Sequence, residues 1–91
     1  MHLFEDLKIW QKAMHITEEV YLLTTFFPKE EKYGLTSQIR RRAISIASNI
    51  AEGAGRNTNG EFKSFLGMAN GSSNELQTQL ILSYRLNLVK K

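Results

Sequence analysis

The stretch Thr36-Ser37-Gln38-Ile39-Arg40-Arg41-Arg42-Ala43-Ile44-Ser45-Ile46-Ala47-Ser48-Asn49-Ile50-Ala51 decides the fold. Ile39, Ala43, Ile46, Ala47 and Ile50 recur at the spacing that puts side chains on one stripe of a helix, whereas a strand would need alternation. Thr36 or Ser37 can start the helix by accepting a hydrogen bond from an orphan amide. From Ala43 to Ala51 no residue is charged, so this helix is expected to be central and enclosed on most sides. Gly53-Ala54-Gly55-Arg56-Asn57-Thr58-Asn59-Gly60 should end it and open the next connection, glycine supplying a left-handed cap.

Working outward, Leu7, Trp10, Ala13, Met14, Thr17, Val20 and Tyr21 form the inner face of a preceding helix, with Asp6 as its cap. That helix must stop near Phe26, because the ring of Pro28 pushes Phe27 out of helical geometry. Lys29-Glu30-Glu31-Lys32-Tyr33-Gly34 is then a polar connection with room for one helical turn. On the other side, Thr58 and Glu61 have the spacing of a capping box and open a third helix. Its inner face is Phe62, Phe65, Leu66, Ala69, Ser73, Leu76, Leu80 and Tyr84, as far as Leu86. No segment alternates with period two for long. The expected architecture is all-α, an antiparallel up-and-down bundle in a single domain spanning residues 1–91. The sequence stops at Val89-Lys90-Lys91 directly after helix three, and stripes this broad need a fourth helix, a partner subunit or both to cover them.

The chain has 91 residues, a net charge of +3 and no cysteine, which excludes a disulfide framework and thiolate zinc sites. The N-terminus lacks the pattern of a signal peptide, and no apolar run is long enough for a membrane span. A cytoplasmic protein is the expectation. His2 and His15 have no spaced partner, so neither metal binding nor a catalytic pair is supported. No nucleophile has a visible base, and Gly53-Ala54-Gly55 is not a phosphate loop, having no preceding strand and no following Gly-Lys-Ser or Gly-Lys-Thr. Neither an enzyme nor a cofactor is expected.

Charge is uneven: between Lys32 and Lys63 stand six basic residues against Glu52 and Glu61 alone. Arg40, Arg41 and Arg42 are the strongest functional candidates, since guanidinium groups bind phosphate bidentately and stay charged. Consecutive helical positions point about 100° apart, so all three cannot meet one surface. Arg56 and Lys63 complete the candidate nucleic-acid surface, and Lys8 with Lys12 could extend it; the bland alternative for all of them is a solvated helix face. Glu52 and Arg56 have the order of a helical ion pair. Asn49 and Glu75 are read as structural polar groups that fix helix register. Trp10, Tyr21, Phe62 and Phe65 are read as core rather than stacking platforms, and Gly67 with Gly71 as a close helix contact.

Phe4-Glu5-Asp6-Leu7-Lys8-Ile9-Trp10-Gln11-Lys12-Ala13, Phe27-Pro28, Tyr33-Gly34-Leu35-Thr36-Ser37-Gln38-Ile39-Arg40-Arg41, Ser48-Asn49-Ile50-Ala51-Glu52-Gly53 and Glu75-Leu76-Gln77-Thr78-Gln79-Leu80 together resemble the proteins encoded in the 23S ribosomal RNA intervening sequences of bacteria. The likeness covers essentially the whole chain. It implies a four-helix bundle assembled as a ring-like homopentamer, as in the family and its relatives among diversity-generating retroelement accessory proteins. It implies little about activity beyond nucleic-acid binding, suggested by genomic setting. Two departures stand out: Ala47 replaces a frequent proline, which should straighten helix two, and a fourth helix is not among these residues. The leading expectation is a homo-oligomer that binds structured RNA or another nucleic acid; the rival is an oligomeric scaffold or protein-interaction module with no nucleic-acid role.

Overall fold

A computed structural model describes residues 3–89, so His2, Lys90 and Lys91 lie outside it. The described residues are all-helical, with no strand: α1 (Lys8–Thr24), α2 (Leu35–Ala54) and α3 (Asn59–Arg85), with short 3-10 turns at Phe4–Asp6 and Lys29–Glu31. Among the described residues no helix is long and apolar enough to cross a membrane.

The expected caps fare differently. Thr58 caps α3 as its spacing requires: its Oγ1 accepts from the Glu61 amide at 3.1 Å and donates to Glu61 Oε1 at 3.0 Å. Asp6 does not cap α1; it belongs to the preceding 3-10 turn, and Leu7 is the N-cap without a side-chain bond. Helix α2 starts at Leu35, ahead of Thr36, because the Glu31 carboxylate takes the Leu35 amide at 3.3 Å. No glycine has a positive φ, so the end of α2 is not a left-handed cap. Gly53 has another use: a Cβ there would meet Phe65 Cβ at 2.7 Å and Phe62 Cδ1 at 3.0 Å, so its bare backbone is what lets α3 approach. Gly67 and Gly71 are the reverse case, with nothing within 4 Å of an added Cβ, so they make no close helix contact here.

Helix α2 packs against both α1 and α3, while the backbones of α1 and α3 do not come close to one another. Along α1 and α2 the partners run Thr17 to Ala43 and Thr24 to Arg40; along α2 and α3 they run Ser45 to Ser72, Arg42 to Glu75 and Gln38 to Gln79. Position rises on one helix of each pair as it falls on the other. Ala47 lies within an unbroken α2.

The core forms two clusters. Val20, Phe27, Ile39, Ala43 and Leu76 fill one end, joined by Leu88 and Val89 folding back after α3. Ala13, Ala47, Ile50 and Ala69 fill the other, where small side chains let the helices approach closely. Ile46 packs against both clusters. Three expected core positions are open instead: Met14 and Tyr21 are each 39% exposed and Tyr84 is 70% exposed. Stripes read by spacing alone overestimate their own width, and α3 buries Ser72 and Ser83 in place of Tyr84.

Candidate nucleic-acid interface

The three consecutive arginines fan out as their spacing requires, and each meets a different environment. Arg40 turns toward α1, where its Nε donates to Thr24 Oγ1 at 2.8 Å and its guanidinium lies 4.5 Å from the centre of the Tyr21 ring. Thr24 is buried and its own hydroxyl donates a hydrogen bond to the Val20 carbonyl at 2.8 Å, so Arg40 is clasped by an already fixed group. Arg42 turns toward α3 and stands 3.8 Å from Glu75. Arg41 is exposed and makes no side-chain hydrogen bond or ion pair with any described residue.

Arg56 and Lys63 lie at the opposite end of the molecule, about 20 Å along α2 from Arg41 by helical rise. Arg56 is 3.9 Å from Glu52 and lies over the Phe65 ring at 4.7 Å. Lys63 is exposed on the first turns of α3. The five basic candidates therefore do not share one surface. Asn49 Nδ2 donates to the Ser45 carbonyl at 2.9 Å and to Ser45 Oγ at 3.0 Å, and Ser45 Oγ is 2.9 Å from Ser72 Oγ. Asn49 thus adjoins a polar bridge between α2 and α3, as does Glu75 through Arg42.

Arg40 and Arg41 do converge with residues that the sequence did not mark as part of a site. Together with Lys32, Tyr33, Tyr21, Thr36, Ser37 and Ile44 they line an open cleft of about 420 Å³ where the connection after Pro28 meets the first turns of α2. Tyr33 is 87% exposed, and Lys32 Nζ sits 5.4 Å over its ring. No acidic side chain lines this cleft, and the nearby Glu31 carboxylate is occupied by the Leu35 amide. The sequence does hold a signal for the missed pair: Tyr33 lies in a short polar connection, off every apolar stripe, where burial offers no reason for an aromatic ring. Tyr21 escaped because it shares a face with true core residues but stands at that face's edge, under Arg40.

The arrangement suits an anion with an aromatic or apolar portion. Guanidinium and ammonium groups supply phosphate contacts, and exposed rings supply stacking surface. No curated protein matches the chain. The family described as 23S rRNA-intervening sequence protein matches residues 5–91. The chain belongs to that family.

Proposed function

We propose that this protein is a non-enzymatic, cytoplasmic homo-oligomer, built as an antiparallel four-helix bundle, that binds structured RNA through a basic surface. The observation that carries the binding role is the convergence of Lys32, Arg40 and Arg41 with two exposed tyrosines on a cleft free of acidic lining. Binding is centred there, with Arg42, Arg56 and Lys63 contributing at longer range. Phosphate contacts dominate its affinity, which is strongly salt-dependent and weakly sequence-specific.

The four-helix reading rests on a second feature. On the side of α2 away from that cleft, α1 and α3 stand apart and leave a groove lined by Ile9, Ile16, Ile46, Ile50 and Leu66, with Ala13 and Ala69 at its floor. Both flanking helices run counter to α2, so a fourth helix laid in this groove would complete an up-and-down bundle. The oligomer draws on the apolar side chains that remain outside the groove.

The test is fluorescence anisotropy with a structured RNA and a matched DNA duplex at low and physiological salt, with solution mass measured alongside. Saturable RNA binding that weakens with salt is expected, and K32Q with R41Q should flatten the log–log salt slope by about 0.7–0.9 for each phosphate that is no longer neutralised. An unchanged slope would sink the assignment of this surface. The scaffold reading is favoured by one observation, the row of Leu22 and Phe26 on α1 and just beyond its end, 69% and 67% exposed. It predicts an oligomer of defined mass with no affinity for any polyanion.

A further inference from the structure

Resting on that reading, we propose that the cleft between Tyr33 and Arg41 is a seat for one unpaired nucleotide, so that the protein selects RNA with single-stranded loops or ends over fully paired duplex. A stacking platform must be exposed and held still. Tyr33 meets the first condition with 87% of its surface open. The second is met at the backbone: the Glu31 amide donates to the Pro28 carbonyl at 3.0 Å, Lys32 to Lys29 at 3.1 Å and Gly34 to Glu31 at 3.0 Å, fixing the turn from which the ring projects. Lys32 covers one face of the ring at 5.4 Å, directing a base to the remaining surface. In a duplex each base has its faces covered by its neighbours, whereas an unpaired base can be splayed out onto an aromatic ring.

The polar groups around the ring are the second line of argument. Thr36 is buried to 7% exposure and lines the cleft, yet its hydroxyl bonds no described residue. The hydroxyl oxygen is not a buried unpartnered atom, so it is open to solvent and free to bond a ligand in the cleft. Ser37, on the next position, is likewise without a side-chain bond among the described residues, and so is Arg41. A nucleotide supplies what these groups lack: phosphate oxygens for the fork of Arg41, and a 2′-hydroxyl or base edge for Thr36 and Ser37. Ile44, 44% exposed, gives the wall an apolar side for the sugar or base. The volume of about 420 Å³ lies within the range of about 300–1,000 Å³ typical of small-ligand sites.

The experiment compares three labelled RNAs against the full chain by anisotropy: a hairpin with an unpaired loop, a blunt duplex with the same stem, and the loop sequence as a single strand. The hairpin and single strand should bind more tightly than the duplex. Y33A should weaken them by roughly 5- to 150-fold, the loss expected for one stacked base, and leave the duplex nearly unchanged; Y33F should bind as the wild type does. Since Tyr33 stands in solvent, the melting temperature of Y33A should match the wild type, separating binding from folding. Equal binding of loop and duplex, with Y33A harmless and R41Q weakening both, would overturn the nucleotide seat and leave the basic-surface reading standing. No binding to any of the three at low salt would overturn both.

Discussion

Replacing Gly53 and Gly71 in turn by alanine should move stability apart although the chemistry of the two changes is identical. Both residues are helical, and alanine is favoured over glycine in a helix interior by about 0.8–1.0 kcal/mol, a gain that applies in full to Gly71 in the middle of α3 and less to Gly53 in the last turn of α2. At Gly71, in α3, an added Cβ meets nothing within 4 Å, so most of that gain should appear as a rise in melting temperature of about 4–8 °C. At Gly53, in α2, the Cβ would sit 2.7 Å from Phe65 Cβ, an atom fixed to the α3 backbone that cannot rotate away. Helix α3 must then shift as a body, and overpacking of this kind costs about 1–3 kcal/mol, enough to cancel or reverse the helical gain. G53A is expected at least about 4 °C below G71A in thermal unfolding followed by circular dichroism at one protein concentration. If G53A melts as high as G71A, the close approach of α2 and α3 at this point is wrong. If instead G71A alone fails to stabilise, the open outer face of α3 is covered in solution.

Arg40→Gln removes the bond to Thr24 and the stacking on Tyr21, and should lower stability by about 1–2 kcal/mol, while Arg41→Gln should stay within about 0.5 kcal/mol of wild type; urea unfolding separates them. Thr58→Ala removes the N-cap of α3 and should cost about 1 kcal/mol, read from the same curves, with Thr58→Ser recovering most of it. Glu75→Gln breaks a pair whose carboxylate side chain is 60% exposed, so any change in unfolding free energy should be under about 1 kcal/mol.

What the sequence made legible follows from which forces act locally. The inner stripe of α2 could be read in advance: Ile39, Ala43, Ala47 and Ile50 are all buried, because period alone sets the face of a helix. The Thr58 cap was equally readable, since both partners of a capping box lie within one turn. The start of α2 was not, because the group that settles it is the Glu31 carboxylate from the preceding turn, which out-competes the local hydroxyls of Thr36 and Ser37. The candidate site was half legible for a similar reason. Arg40 and Arg41 announce themselves as a charge run, but the cleft exists only because the turn after Pro28 carries Lys32 and Tyr33 back onto α2 and because Tyr21 comes across from α1. That convergence spans three segments, and periodicity within any one of them carries no trace of it. Arg42 was included with its neighbours by adjacency, and adjacency is what a helix disperses.

The placement of the two open features on α2 ties assembly to binding. Ser37 lines the cleft and Ile46 the groove, and they are nine residues apart, which by helix geometry is about 180° around the axis. A helix laid in the groove therefore covers Ile46 and Ile50 without approaching Arg41 or Tyr33. Filling the groove would stiffen α2 from behind while leaving the basic and aromatic side chains in solvent, so the two events need not compete for surface. In a ring of such subunits each copy would present its own cleft, and several weak phosphate and stacking contacts would act together on one folded RNA, raising avidity without any new contact in the single subunit. A charge introduced at Ile81, 58% exposed on α3 and outside the groove, should then act on assembly, read as solution mass, and lower RNA affinity only by removing multivalency, whereas Arg41→Gln should lower affinity in the assembled protein and leave its mass unchanged.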